Sequence, residues 1–346
     1  MKRILRWSFW VLLLSAIFFY WVFASTTTSF KERSRYLVIE DKQSKNSILE
    51  TLQANNMLRF PWALSILGST MGLWDKIKPG KYEINKGDNI LSIARMLKNG
   101  RQAEVKLVIN RLRLKEDLAK LIGKNISVDS ASVMRFLNAP DSLKEFQVDT
   151  QQVFTLIIPD TYVFYWNTPL RKIFRKLADN KNLFWKNKER AIKAHRLGLS
   201  EEDVYTLASI VDEETNYESD KYKIASVYLN RLNAGMPLQA CPTIKYAMKD
   251  FTLTRIYEKY LFNPSPYNTY RKKGLPPGPI CTPSPKTIDI VLDAPATRYL
   301  YFVAKSDFSG YHHFSSDFSE HSHYAREYQT ALDAYTKRKQ EKNQQP

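Results

Sequence analysis

Residues Ser200–Thr215 read SEEDVYTLASIVDEET. Ser200 suits an N-cap, and Asp203 supplies the acid of a capping box, with Asp standing where Glu is usual. At ~100° per residue, Val204, Leu207, Ala208, Ile210 and Val211 form one apolar face, which predicts a helix over Glu201–Thr215 packed into a core. Asp212 and Glu213 fall off that face, toward water. Glu214 falls in the middle of it, three residues after Val211 and seven after Leu207. A carboxylate there is either ion-paired, with Arg231 or a lysine, or functional. Apolar neighbours disfavour its charged form, so its pKa rises and it can hold a proton near neutral pH. A general acid acting on a glycosidic oxygen has that requirement.

The chain around this helix reads as a mixed α+β body. Downstream, a helix is expected over Lys221–Leu232, with Gly235 placed for its C-terminal cap. Seven of the sixteen prolines fall in Pro264–Pro285, so the loop there is stiff and suits the wall of a polymer-binding cleft or a brace between elements. Tyr299–Val303 reads as a strand, followed by His313-Phe314 and Glu320-His321. Upstream, Lys172–Lys193 contains a strongly basic amphipathic helix with Ile173, Leu177, Leu183 and Trp185. Near the start, Tyr36–Ile39 is a strand, and Ser44–Asn55 and Pro61–Met71 are helices. Tyr82–Ile84 is a second strand, the turn Gly87-Asp88 follows, and Ile90–Leu97 is an amphipathic helix closed by Asn99-Gly100. Val105–Ile109 is a further strand. Leu114–Leu143 reads only as mixed helix and loop.

Lys2, Arg3 and Arg6 precede Trp7–Ala24, an uncharged and mostly apolar run of 18 residues. At ~1.5 Å per residue it is just long enough for a hydrocarbon core. Cations before it and none directly after it place the N-terminus in the cytoplasm and the body outside. A cleaved signal peptide is the alternative, since Val22-Phe23-Ala24 is a passable cleavage site. The balance of 52 basic and 35 acidic residues gives +17, which favours polyanions or anionic surfaces. No basic-aromatic RNA-binding signature accompanies it, so nucleic acid is not expected. Two cysteines exclude a disulfide scaffold and a cysteine-built zinc ribbon. His312, His313, His321 and His323 lie in a Ser/Asp/Phe-rich segment read as a loop, without helical ligand spacing, so neither a metal nor a cofactor is expected.

An ordered set of motifs runs through the chain. Its members are Pro159-Asp160-Thr161-Tyr162, Ala208–Val211 leading to Glu214-Thr215, Asn230-Arg231-Leu232, and Gly235-Met236 with Leu238-Gln239. Pro242-Thr243, Tyr267-Asn268-Thr269-Tyr270, Gly274–Ile280, Tyr299–Val303 and His313-Phe314 complete it. In these the chain resembles the endolytic murein transglycosylases (MltG/YceG-like), from about Tyr36 to Tyr328. The resemblance implies a single-pass inner-membrane protein with its catalytic domain on the extracytoplasmic side. It also implies cleavage within peptidoglycan glycan strands by one glutamate, at the position of Glu214, and penicillin-binding synthases as partners. Tyr82–Ala94 resembles half of a LysM module.

The organisation expected is a cytoplasmic tail 1–6, an anchor 7–24, a stalk 25–35, a LysM-like domain 36–109, a connection 110–152, a catalytic domain 153–336 and a polar tail 337–346. Gln239, Asn268 and Tyr267 are the residues expected to hold the sugar, and Arg231 is expected either to meet peptide-stem carboxylates or to serve the fold. Two other readings are a non-catalytic glycan-binding anchor and a hydrolysing muramidase using a second acid such as Asp160. The chain departs from the family in two places. Phe154 and Thr155 stand where Glu-Gly is usual, and Cys241 stands where the motif Leu-Gln-x-Asp-Pro-Thr has its acid. Cys241 and Cys281, both in segments read as flanking one cleft, are expected to form a disulfide.

Overall fold

A computed structural model describes residues 2–253 and 255–343. The chain falls into two compact units. The first runs through Leu107 and adds Gly123–Val128 and Val163–Pro169; the second holds Val108–Ile122, Asp129–Tyr162 and everything from Leu170. Most of the stretch 110–152, read as a connection, belongs to the second unit.

In the first unit, helix α1 (Lys2–Ala24) contains Trp7–Ala24, a stretch long and apolar enough to cross a membrane. Its apolar side chains are mostly exposed, except at the end, where Val22 is buried in the unit's core. Strand β1 (Ser34–Ile39) pairs antiparallel with β2 (Gly80–Asn85), in a register that sets Leu37 against Tyr82. Helices α2 (Lys45–Ala54) and α3 (Pro61–Thr70) lie between them in the chain, and α4 (Ile90–Asn99) follows. Local chemistry fixes these ends. Ser44 and Asn89 accept the backbone N–H groups of Ser47 and Ser92, and Gly100 closes α4 at φ 65°, a conformation glycine adopts without strain. The core joins Leu37, Ile39, Ile48, Leu52, Tyr82, Ile84, Ile93 and Leu97. Strands β3 (Glu104–Ile109) and β4 (Asp160–Tyr165) pair in a second small sheet.

The uninterpreted stretch after β3 resolves into α5 (Lys115–Asn125), α6 (Ser130–Asn138) and the single turn α7 (Pro140–Leu143). The basic stretch Lys172–Lys193 holds the expected helix and the start of a second. It forms α8 (Leu170–Lys186) and α9 (Arg190–Arg196), broken where Lys188 and Glu189 turn left-handed at φ 56° and 53°. The break lets Arg190 fold inward, where its guanidinium donates to the Phe184 carbonyl at 2.7 Å and to Asp289 at 2.6 and 3.0 Å.

Helix α10 (Glu201–Glu214) is the axis of the second unit, started by the Ser200/Asp203 capping box. It packs against α9, α11 (Glu218–Asn233), α12 (Cys241–Met248) and α14 (Pro285–Leu292). Between α12 and α14 lie the turn α13 (Glu258–Leu261) and the proline-rich loop. A helix enclosed on several sides has no single wet face, so every residue from Val204 to Asp212 is buried. The expectation that Asp212 points to water is therefore corrected. Strands β5 (Tyr301–Ala304) and β6 (His312–Ser315) form an antiparallel hairpin, and α15 (Phe318–Asn343) follows. The histidine segment is thus strand and helix, not loop. The tail from 337 is helical to Asn343; Met1 and the last three positions of the tail lie outside the described residues.

Candidate active site

The proline-rich loop is fastened to α10 from the side. Ser209 Oγ accepts the Ile280 N–H at 3.0 Å, and Cys281 Sγ donates to the Ser209 carbonyl at 3.4 Å. One residue on, Thr282 binds the 110–112 segment through three hydrogen bonds, of 2.7 Å to the Asn110 carbonyl and 2.8 Å each way with the Leu112 backbone. This fastening brings Arg111 and Arg113 over the last turn of α10.

Each arginine then takes one carboxylate. Arg111 Nη2 donates to Asp212 at 3.0 Å. Arg113 grips Glu213 through both forks, at 3.0 and 2.9 Å. Asp212 also accepts from Lys221, from Thr287 Oγ1 at 2.5 Å and from the Ser284 N–H at 3.3 Å. Burial pushes its carboxyl up, but Lys221, Thr287 and Arg111 outweigh that and hold it below the usual carboxylate range. Asp212 and Glu213 are committed to the protein.

Glu214 is held differently. It ends α10, and Thr215 leaves the helix in an extended conformation. Its partner is a hydroxyl: Tyr228 on α11 donates to Oε1 at 2.5 Å. Among the described residues no ion pair reaches it, so the expected alternative of a bridge to Arg231 does not form. Desolvation raises its pKa to about 7, aided by the neighbouring Glu213, while the Tyr228 hydrogen bond and Lys245 oppose the rise. The negative end of the α10 dipole acts in the same sense as the desolvation. Glu214 is thus able to hold a proton near neutral pH. It lines a cavity of about 230 Å³ whose walls include Arg111, Arg113, Asn216, Lys245 and Phe251.

Arg231, Gln239, Asn268 and Tyr267 are not among the residues lining the Glu214 cavity. Arg231 is buried and donates through Nε to the Leu300 carbonyl at 2.7 Å and through Nη1 to the Pro237 and Leu238 carbonyls at 3.2 and 2.8 Å, so it braces the fold. Gln239 is exposed, sits at φ 53°, and its Oε1 accepts from Arg231 at 3.2 Å. Asn268 is buried. Its amide donates to Leu261 and Asn263 and accepts from the Tyr270 N–H, which makes it the organiser of the loop and not a sugar contact. Tyr267 packs on Tyr246 with ring centroids 4.7 Å apart. The disulfide is also corrected, since both thiols are free: Cys241 is exposed with Sγ 3.1 Å from Tyr270 Oη, and Cys281 is buried against Ser209. Asp160 lines a separate cavity with Pro159 and Thr161, which shares only Arg111 and Asp212 with that of Glu214.

Sequence reading missed Arg111, Arg113, Tyr228 and Lys245. The alternation Arg111-Leu112-Arg113-Leu114 continues the strand period of β3, and that places two arginines on one face. Nothing local shows where that face points. Tyr228 shares the apolar face of α11 with Ile224 and Ala225, so its burial was legible and the target of its hydroxyl was not.

The YceG-like family profile matches residues 37–327. The chain belongs to the YceG-like family. Among similar proteins is the endolytic murein transglycosylase of Bacillus subtilis, 27% identical over 288 residues that cover 78% of each chain. That of Streptococcus pneumoniae is 33% identical over 154 residues, covering 43% of this chain and 27% of the relative. The crystal structure of a YceG-like protein from Listeria monocytogenes shares the fold, with a TM-score of 0.56 at 24% identity, over 84% of this chain and 99% of that one. In this YceG-like chain Cys241, with Sγ 3.1 Å from Tyr270 Oη, directly precedes Pro242-Thr243.

Proposed function

We propose that the chain is a membrane-anchored endolytic lytic transglycosylase that cuts the bond between N-acetylmuramic acid and N-acetylglucosamine inside peptidoglycan strands and leaves 1,6-anhydromuramoyl ends. The relatives' names support the reaction class. The observation that carries the mechanism is the division of labour among three adjacent carboxylates. Arg111 and Arg113 occupy Asp212 and Glu213, while Glu214, on a tyrosine hydroxyl, keeps a transferable proton.

Protonated Glu214 donates to the glycosidic oxygen, and the N-acetylglucosamine side leaves as an alcohol. Positive charge develops at the muramoyl C1, beside the carboxylate left on Glu214. That carboxylate takes the proton of the muramoyl 6-hydroxyl as its oxygen bonds to C1, closing the anhydro ring and returning Glu214 to its acid form. No water is consumed. A hydrolase would need a second carboxylate as base or nucleophile, and Asp160 lies in another cavity.

Helix α1 serves as the anchor in this reading, with the body on the extracytoplasmic face of the inner membrane and the first unit as a LysM-like glycan-contacting element. Cutting nascent strands there would terminate their elongation beside the penicillin-binding synthases that make them. Mass spectrometry of digested peptidoglycan tests the reading. Anhydro ends support it, reducing ends indicate a muramidase, and no new ends indicate a non-catalytic anchor.

A further inference from the structure

The Glu214 cavity holds one cation, Lys245, that no hydrogen bond or ion pair engages among the described residues. Of its basic residues, Arg111 is engaged by Asp212, with Glu213 at 3.8 Å, and Arg113 is engaged by Glu213. Lys245, on the second turn of α12, is half-buried in the same wall, and among the described residues no carboxylate or carbonyl accepts from its Nζ. When Glu214 carries its proton, that charge has no counterpart in the cavity. A half-buried cation facing a binding cavity is stabilised by an anion that arrives with the ligand.

We propose that Lys245 is a specificity residue that receives a carboxylate carried by the glycan strand. This rests on the transglycosylase reading above. The muramoyl ring that reacts at C1 carries a lactyl ether on the same ring. In peptide-free strands the lactyl group ends in a free carboxylate. In stem-bearing strands it is an amide, and the nearest anions are the carboxylates of the peptide stem. Both sources present the same chemistry to Lys245. Arg231, buried and bracing the Leu300, Pro237 and Leu238 carbonyls, does not line this cavity, and Lys245 does. The ε-ammonium would fix the strand's register, so that a muramoyl C1, and not that of the alternate sugar, comes to Glu214.

The test uses the Glu214→Gln chain, in which strands bind uncut and any influence of Lys245 on Glu214 ionisation is silent. Labelled peptide-free strands and labelled stem-bearing strands are each compared with copies whose carboxylates have been converted to neutral methylamides. Neutralisation should weaken binding about tenfold in one of the two pairs, the lower end for a hydrogen bond to a charged group, and the pair affected identifies the source. Glu214→Gln/Lys245→Gln should bind charged and neutral strands alike, and Glu214→Gln/Lys245→Arg should restore the difference. Equal binding within both pairs, or a difference that survives Lys245→Gln, overturns the proposal. Anhydro-end formation by the wild-type chain is scored separately, so a failure of the reaction reading is distinguishable from a failure of the carboxylate subsite.

Discussion

Replacing Glu214 by Gln should stabilise the protein by an amount that grows with pH. In the folded chain the carboxyl ionises near 7, against 4.5 for an unperturbed glutamate. The folded state therefore binds this proton more tightly than the unfolded state does. Stability is lost as pH rises from about 4.5 to about 7, and the loss then stays constant. The gap from 4.5 to about 7 is about 2.5 pH units, or about 3 kcal/mol at 1.36 kcal/mol per unit. Glu214 is partly open to its cavity, and solvent screening reduces the figure to about 1–3 kcal/mol. In a unit of this size that corresponds to a Tm difference of about 3–8 °C. The glutamine keeps an oxygen to accept from Tyr228 and carries no charge. Thermal unfolding of both chains in detergent should therefore give matching Tm values at about pH 4 and a higher Tm for the variant at about pH 8. A difference independent of pH, or a variant that is less stable at high pH, would refute the claim of a desolvated carboxyl.

Three other substitutions or truncations probe the same structure. Tyr228→Phe removes a hydrogen bond that favours the charged carboxylate, so the pH at which activity falls on the alkaline side should move up by about one unit; an unchanged limb in the pH–rate profile contradicts the 2.5 Å contact. Asp212→Asn leaves Lys221 and Arg111 undercompensated in a buried site and should cost about 3–5 kcal/mol, read as a lowered urea midpoint, with wild-type stability as the contrary result. A chain beginning at Trp21 should be soluble and keep Val22 in the core of the first unit. One beginning at Thr26 should lose about 1.5–2 kcal/mol from that unit, so equal melting of the two would show that Val22 contributes nothing.

What was legible in the sequence was local. The Ser200/Asp203 box and Gly100 mark element ends through bonds made within a few residues, and both hold in the structure. The period of α10 singled out Glu214 from its neighbours, although for an incomplete reason. Periodicity assumes one wet face, and α10 is enclosed, so Asp212 is buried like Val211 and is set apart from the half-buried Glu214 by its charged partners. Those partners come from far along the chain. Arg111 and Arg113 reach α10 from about a hundred residues upstream because Thr282 holds their segment, and no local pattern encodes such a contact. Asn268 and Tyr267 were read as sugar contacts because polar and aromatic side chains in a motif suit sugars, and Arg231 was left between a peptide-stem contact and a brace for the fold. Their hydrogen bonds and stacking instead complete the stiff loop and the brace beneath it.

The account turns on one carboxylate acting without water, and product analysis in heavy-oxygen water addresses both halves at once. Purified wild-type chain is incubated with isolated glycan strands in that solvent beside Glu214→Gln, and the new ends are analysed by mass spectrometry. The wild type should yield 1,6-anhydromuramoyl ends that carry no solvent oxygen, and the variant should yield no new ends. Reducing ends bearing the heavy oxygen, or anhydro ends made by Glu214→Gln at the wild-type rate, would contradict it.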